Sequence, residues 1–357
     1  MSALLTSARF ELLSLFWAIA FLFIGLSFLI CLSIVIRRIN RNRKAKLRKK
    51  QKIKFQNYTV ACIRDTSDES SENWNLRDIP KCHIQDVTDI FLHYFQTLKG
   101  KKKEILQDMI SNSSLETEIV ESTKYGTRGM RMRAVRVLSY LNTQNSSQVI
   151  FESLSSDDKY VRLTAMRSLV KRKAIFFLDA IIESCLEAFP NDYKLLSGIL
   201  HNFGNDIIEP LEEHVKNSDN DVLITACLET LILIMPMQTS VNFENLMKSS
   251  SDSVRAAALS LSAITKHSEG VNPIVLGLMD NSIQVKIRAA KMTNKLKRAD
   301  LTSELYNLTS DPVMWVRYWA YRGIWSSGES GQKLVASMTK TNPMAENVAL
   351  EMRFGYV

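Results

Sequence analysis

Histidine and cysteine, the side chains that most often carry catalysis or bind metals, are isolated from one another in this sequence. The chain has five histidines and five cysteines, and only Cys82 and His83 are neighbours. Neither a C-x-x-C nor an H-x-x-x-H spacing occurs, so no pair of metal ligands can be placed on one helix face. The sequence also lacks a glycine-rich phosphate loop and a nucleophile beside a base. We therefore predict no catalytic, cofactor-binding or metal site and no enzymatic activity.

A dense group of aromatic residues and arginine near the C-terminus is a better candidate for function. Residues of these types are enriched where proteins bind partners. Two interpretations stay open: a docking site for a protein partner, or a C-terminal cap in which tail helices near residues 332–338 and 344–352 cover the group. The group consists of Trp315, Tyr318, Trp319, Arg322 and Trp325.

This group belongs to a pattern that returns at a nearly fixed interval. A small residue recurs seven times, about every 31 residues, with an apolar residue or tyrosine four positions before it. Residues four apart share one face of a helix, where a small side chain lets a neighbouring helix approach closely. The small residues are Ala134, Ala165, Ser197, Ala226, Ala258, Ala289 and Ala320. A repeat array of helices is therefore predicted.

Acidic and polar turns precede the helix that carries the small residue. They read SSDDKY from Ser155, PNDY from Pro190 and NSDND from Asn217, for example. Asp, Asn and Ser can accept hydrogen bonds from the free N–H groups of a first helical turn. We therefore expect these residues to cap the second helix of each repeat.

Two copies show the pattern most clearly: Asp157–Val161–Arg162–Ala165–Leu169 and Asp311–Val316–Arg317–Ala320–Ile324. The chain resembles the HEAT-like repeat here, in the short form also found in phycobilin lyases. The resemblance implies an all-α solenoid of about seven helical-hairpin repeats. It implies no single function, because such solenoids have many roles. In layout the chain also resembles membrane-anchored bacterial HEAT-repeat proteins associated with glycosyltransferase systems.

A cation follows the apolar residue in six of the seven repeats. One interpretation is a row of cations along a binding surface. The other, which we favour, is a structural ladder, because in the resembling repeats this cation pairs with turn acids of its own or the adjacent repeat. We call these six residues the ladder cations: Arg131, Arg162, Lys194, Arg255, Lys286 and Arg317. The available turn acids are Asp158, Asp192, Asp221, Asp252, Asp280 and Asp311.

An uncharged apolar segment near the N-terminus predicts a transmembrane helix. Leu12 to Ile36 is 25 residues long, which at about 1.5 Å per residue exceeds a hydrocarbon core of about 30 Å. A cleaved signal peptide is the alternative, but its apolar part would be shorter and its charge would come first. Residues 37–54 carry eleven Lys and Arg and no acid. This predicts a single-pass protein of the plasma (inner) membrane with the following chain in the cytoplasm.

The basic segment also accounts for the charge of the whole chain. Removing its eleven positive charges from the net +9 leaves −2 for the remaining residues. A near-neutral repeat region argues against binding to nucleic acid. Residues 37–54 are instead expected to contact anionic membrane lipid.

These patterns divide the chain into six predicted segments. They are an N-terminal tail with the transmembrane anchor (1–36), a basic juxtamembrane segment (37–54), a flexible polar spacer (55–84), a helical N-terminal cap (85–125), a HEAT-like solenoid (126–340) and a C-terminal cap or tail (341–357). We predict a membrane-anchored, non-catalytic scaffold that docks a protein, with an envelope-polysaccharide glycosyltransferase complex as the candidate partner. The alternative is a lyase-like HEAT-repeat enzyme or a ligand-binding protein, which would need a pocket with converging polar groups.

Overall fold

The computed structural model describes residues 2–64, 79–265 and 272–355, with side chains from residue 26 onward. All regular secondary structure in these ranges is helical, which agrees with the predicted all-α class. The chain divides into two compact units, residues 1–143 and 144–357.

The first unit contains a long N-terminal helix and four shorter ones. Phe55 of the long helix packs edge-on against Phe91 of the second helix, with 5.6 Å between ring centroids. Phe95 stacks on Tyr140 at 4.6 Å, which adds the end of the unit to the same aromatic core. The helices are α1 (Ser2–Arg64), α2 (Ile84–Thr97), α3 (Lys101–Ser111), α4 (Ser114–Tyr125) and α5 (Arg128–Leu138).

The predicted membrane anchor falls on α1 and is wrong. Among the described residues, no helix combines the length and the apolar character needed to cross a membrane. Of the predicted span, eleven residues, 26–36, have described side chains before the charges begin at Arg37. The predicted location as a single-pass inner-membrane protein depended on this anchor and is therefore also wrong. The side chains of residues 1–25 lie outside the described residues.

The basic segment continues α1 and contacts α2. Arg48 donates a hydrogen bond to Asp86, and Lys52 Nζ lies 3.6 Å from the same carboxylate. Burial would raise the pKa of Asp86, but the bond and charge of Arg48 hold this pKa below its usual value. Two of the eleven basic residues therefore help to hold α1 against α2. Contact of the segment with membrane lipid stays a prediction.

The last turns of α1 occupy the start of the predicted spacer. Phe55, Thr59 and Cys62 are buried, and the Thr59 hydroxyl donates to the carbonyl oxygen of Phe55 at 2.9 Å. Residues 65–78, the central part of the predicted spacer, lie outside the described residues. Residues 55–64 are thus packed helix.

The second unit is a succession of helix pairs. In each pair we call the helix that carries the recurring small residue the second helix. The elements are α6 (Gln144–Glu152), α7 (Lys159–Lys171), α8 (Leu178–Ala188), α9 (Tyr193–Leu200), α10 (Ile208–Asn217), α11 (Asp221–Ile234), α12 (Phe243–Met247), α13 (Asp252–Ile264), α14 (Pro273–Leu278), α15 (Ile283–Leu296), α16 (Thr302–Leu308), α17 (Met314–Ser326), α18 (Glu329–Met338) and α19 (Pro343–Phe354).

Six of the recurring small residues lie in the core of these pairs, and the seventh, Ala134, lies in the core of the first unit on α5. All six alanines have a relative exposure of 0%, and Ser197 has 3%. Consecutive second helices pack side by side, α11 on α13, α13 on α15 and α15 on α17. A Cβ atom added at Gly277 would lie 3.0 Å from the Cβ atom of Ala289, so the first helix of that pair also approaches closely. The seven positions are thus buried, and the unit is consistent with a solenoid of helical hairpins.

The polar turns cap three of the second helices, α7, α9 and α11, whereas α13, α15 and α17 have no side-chain cap among the described residues, so the capping prediction holds for only part of the array. The Asp158 carboxylate accepts from the Tyr160 amide at 2.9 Å, and Asp192 accepts from the Leu195 amide at the same distance. The Asn220 side chain accepts from the amides of Val222 and Leu223. These bonds satisfy N–H groups that the helix itself cannot pair.

Candidate functional site

The ladder cations lie near the starts of second helices, where three of them meet carboxylates. Arg255 binds both oxygens of Asp280, with Nε to Oδ2 at 2.7 Å and Nη2 to Oδ1 at 3.0 Å. Burial would raise the pKa of Asp280, but the bonds from Arg255 and from the Ser282 amide hold this pKa below its usual value. The hydrogen bond to Asp280 in turn raises the pKa of Arg255. This arrangement fixes a charged pair in a largely buried place.

The other two carboxylate pairs follow the same geometry. Lys286 binds Asp311, and Arg162 Nη1 binds Glu187 Oε2 at 2.7 Å. In all three pairs the acid lies 25 residues after the cation, at the end of the first helix of the next repeat or in the turn that follows it. Burial would raise the pKa of Asp311, but Lys286 and the Val313 amide hold this pKa below its usual value. Each pair therefore joins two consecutive repeats.

The remaining ladder cations have different surroundings. Arg317 donates to the backbone carbonyl oxygens of Asp311 and Pro312 at 2.7 and 2.9 Å. Lys194 has no ion pair among the described residues, and its Nζ lies 5.8 Å from the ring centroid of Tyr193. Arg131 lies half-buried on α5 of the first unit. The six positions are thus equivalent in sequence and unequal in structure.

One side of the aromatic group on α17 is covered by α19. The Tyr318 hydroxyl donates to the Glu351 carboxylate at 2.9 Å, and Arg322 Nη1 donates to Glu351 Oε1 at 2.7 Å. The guanidinium of Arg353 lies 5.5 Å from the ring centroid of Trp325, which is only 7% exposed. Tyr318, Arg322 and Trp325 therefore pack against the C-terminal helix α19.

The opposite side of the group remains accessible. Trp315 is 55% exposed and meets the Tyr318 ring edge-on, with centroids 5.6 Å apart. Trp319 is half-buried between two cations, with Lys291 Nζ at 4.7 Å and the Arg322 guanidinium at 5.1 Å from its ring centroid. Positive charge over an aromatic face is attracted by the ring quadrupole, so these contacts fix the orientation of Trp319.

A groove of about 580 Å³ begins beside Trp319, and we call it the α13–α15 groove. Ala256 of α13 and Ile283 and Ile287 of α15 give it apolar walls, and Lys291 at its edge reaches Trp319. Arg288 crosses it, with an ion pair to Glu229 of α11 and a bond from Nε to Ser260 Oγ at 2.6 Å. The groove therefore combines apolar surface with a few fixed polar groups, as binding sites commonly do.

Among the described residues, the thiols and imidazoles do not form a cluster. Burial raises the pKa of Cys185 to about 11 and that of Cys227 to about 12. Both thiols are therefore protonated at neutral pH and poor nucleophiles. Among the described residues, no group of three His, Cys, Asp or Glu side chains is placed to hold a metal ion. His214 Nε2 lies 3.0 Å from Asp179 Oδ1 on the first helices of two consecutive repeats. His267 lies outside the described residues.

Sequence reasoning did not find Glu229, Arg288, Lys291 or Glu351. Glu229 and Arg288 are 59 residues apart, and Tyr318 and Glu351 are 33 residues apart, so local spacing could not pair them. A signal was present for Lys291, because it holds the same repeat position on α15 as Arg322 holds on α17. Equivalent positions on adjacent second helices are neighbours in a repeat stack, which places both cations around Trp319.

Comparison with known proteins leaves the family open. No protein-family model matches the chain, and no curated protein matches it. Among solved structures, one match is the complex of CpcE and CpcF of phycocyanin lyase from Nostoc sp. PCC7120. It is 16% identical, covers 80% of this chain and 98% of the matched chain, and has a TM-score of 0.22.

This match overturns one prediction without replacing it. The matched structure is that of a phycocyanin lyase, so the prediction that this chain is not an enzyme is withdrawn. A TM-score of 0.22 carries no argument for lyase activity in this chain. The matched structure is also a complex, of CpcE with CpcF.

Proposed function

We propose that the protein is a helical-repeat scaffold that binds a segment of a protein partner in the α13–α15 groove and against Trp315 and Trp319. The observation that carries the proposal is the open side of the aromatic group: Trp315 is 55% exposed, and Trp319 on the same helix contacts Lys291, which lines the groove. An exposed tryptophan of this size loses much water-accessible area on contact with a partner, which is a common source of binding energy.

Different roles are proposed for the members of the group, and their contacts support this division. Glu351 and Arg353 of α19 contact Tyr318, Arg322 and Trp325, so we propose that these three residues support the group on its covered side. Trp315 and Trp319 are the side chains proposed to touch the partner. Lys291 and Arg322 hold Trp319 in place, which reduces the entropy lost when a partner binds.

Site-specific cross-linking followed by affinity measurement tests the proposal. A photo-reactive phenylalanine at position 315 should capture a protein that the same probe at Phe176, a side chain 94% exposed, does not capture. With that protein purified, Trp315→Ala and Trp319→Ala should each weaken binding about 30-fold, as expected for about 2 kcal/mol at a binding hot spot. Phe176→Ala should bind as the wild type does.

Melting temperatures separate docking from terminal packing. Trp315→Ala should melt at the wild-type temperature, whereas Trp325→Ala should melt lower because it removes a buried side chain next to α19. Unchanged affinity in both Trp315→Ala and Trp319→Ala would overturn the proposal. A large fall in the melting temperature of Trp315→Ala would also overturn it, because the side chain would then serve packing.

A further inference from the structure

A second groove, lined by α7 and α9, has an unusual concentration of positive charge. We call it the basic groove, and its volume is about 530 Å³. Small-molecule sites commonly measure about 300–1,000 Å³. No described residue that lines it is an Asp or Glu. The four lining cations are Arg167, Lys171, Lys173 and Lys194.

Two of these cations are not neutralised elsewhere. Arg167 and Lys194 have no ion pair among the described residues, whereas the neighbouring Arg162 is committed to Glu187. The carboxylate closest to Lys194 in sequence, Asp192, caps α9 through the Leu195 amide.

The helices orient these cations toward one space. Arg167 and Lys171 are four residues apart on α7, so they share one face of that helix. On α9 the position four residues after Lys194 is Gly198, where an added Cβ atom would meet nothing within 4 Å. Lys173 Nζ is fixed at the rim by bonds of 2.6 Å to the carbonyl oxygens of Asn202 and Phe203. The missing side chain at Gly198 keeps the floor between the cations open.

We propose that the basic groove binds a small phosphorylated molecule through its phosphoryl group. A phosphoryl group has several negatively charged oxygens, which suits several converging cations better than a single carboxylate does. The planar guanidinium of Arg167 can donate to two of these oxygens, and the lysines add point charges around them. Leu195, which lines the groove and is partly exposed, can contact the uncharged part of the ligand. This site is separate from the α13–α15 groove and does not depend on the partner proposed there.

Calorimetry on the full chain with inorganic pyrophosphate as the probe tests the site at low ionic strength, where surface charges are least screened. Pyrophosphate should bind the wild type and raise its melting temperature. Arg167→Ala and Lys194→Ala should each weaken binding at least tenfold. Lys216→Ala is the matched control, because it removes the same charge from an exposed position outside the groove. It should bind as the wild type does.

Position 198 provides a test that does not remove a cation. Gly198→Ala should keep pyrophosphate binding and raise the melting temperature, because the position is helical and the space is open. Gly198→Glu should abolish binding, since its carboxylate would occupy the place of the phosphoryl group. Retained melting temperature in Gly198→Glu shows that the loss is local.

Four results would overturn the proposal. The first is unchanged binding in a variant with both Arg167→Ala and Lys194→Ala, and the second is an equal loss in Lys216→Ala. The third is tighter binding of an oligoglutamate peptide than of pyrophosphate with the same variant losses, which would assign the groove to an acidic protein segment. The fourth is binding to vesicles containing phosphatidic acid without binding to pyrophosphate, which would assign the phosphoryl group to a lipid.

Discussion

Arg255 and Lys194 hold the same position in their repeats and have opposite surroundings. Arg255 is clamped by both oxygens of Asp280 and by the carbonyl oxygen of Ser249. Lys194 has no carboxylate partner among the described residues and lines the basic groove. The difference lies in the next repeat. Asp280 and Asp311 each stand nine residues before the small residue of their repeat, whereas the residue nine before Ala226 is Asn217.

The comparison shows that a repeat position does not determine its own role. A cation at this position joins two repeats when the next repeat has an acid at the matching position. When that acid is missing, the cation is available to a ligand. The interval from Ser197 to Ala226 is two positions shorter than the interval from Ala258 to Ala289. Asp219 follows Lys194 at the separation that Asp280 keeps from Arg255, but the shortened repeat shifts its register, so it cannot replace the missing acid. A shortened repeat is thus a place to look for a site.

The largest expected change in the free energy of unfolding distinguishes the tightly packed repeats around Ala258 and Ala289 from the repeat that contains Gly198. Ala289→Leu should destabilise the protein by about 1–3 kcal/mol or more, because a larger side chain has no room beside Gly277. Ala258→Leu should behave similarly. Gly198→Ala, in the shortened repeat, should instead stabilise by about 1 kcal/mol. Urea unfolding of the three variants measures these changes, and wild-type stability in both leucine variants would show that the repeat register is wrong.

The next largest change in stability is expected from replacing ladder cations. Arg255→Ala leaves Asp280 unpaired in a place where the carboxylate is only 10% exposed, so we expect a loss of about 2 kcal/mol. Lys194→Ala removes an exposed cation and should change the free energy of unfolding by less than about 0.5 kcal/mol. Equal losses in the two variants would contradict the distinction between them.

Acid should weaken the paired repeats through a smaller, graded effect. Asp280 and Asp311 have pKa values below the usual range. Because the unfolded carboxyls titrate near about 3.9, the unfolded state takes up protons first as the pH falls. The stabilisation is complete above that value and is lost as the pH falls further, through the pKa of the folded state. The difference in unfolding free energy between wild type and Asp280→Asn should therefore be greatest at neutral pH and shrink toward pH 2.5; a difference that is independent of pH would exclude this origin.

The smallest effect comes from restoring the missing acid. Asn217→Asp should place a carboxylate within reach of Lys194 and stabilise the protein by about 0.5 kcal/mol, the usual range for an exposed pair. The gain should vanish in the Lys194→Ala background, which a double-mutant cycle measures. In the basic groove the same substitution should weaken pyrophosphate binding. A gain that persists without Lys194 would mean that the new carboxylate acts elsewhere.

Local spacing was sufficient to predict the buried small residues and the caps of α7, α9 and α11, but not that α13, α15 and α17 lack a side-chain cap among the described residues. The recurring alanines are buried because their interval repeats a complete helix pair, and the turn residues Asp158, Asp192 and Asn220 cap the helices that follow them. The tail helices near residues 332–338 and 344–352 correspond to α18 and α19. Each of these features depends on residues within a few turns of one another.

The parts that failed depend on contacts between distant residues or on a property of a whole helix. The sequence pattern could not divide Trp315 from Trp325, because Glu351 and Arg353 of α19 decide which side of the group is covered. It also could not show that Lys194 differs from Arg255, since an aspartate follows both at the same separation along the chain. The membrane prediction depended on an apolar run of residues. In the structure this run is part of α1, the same helix that contains the eleven basic residues.

The ion pairs between consecutive repeats have a consequence for how the second unit opens. A repeat array behaves approximately as a chain of units coupled to their nearest neighbours, and each cross-repeat bond adds to that coupling. Such bonds join the α6–α7 pair to the α8–α9 pair, and the helix pairs from α12 to α17 to one another. In the described residues, neither Lys194 nor Leu223 supplies one at the two junctions between them, where His214 instead pairs with Asp179 and Glu229 of α11 pairs with Arg288 of α15. The ladder therefore couples repeats within two blocks, whereas the coupling of these blocks through α10 and α11 depends on these other side chains.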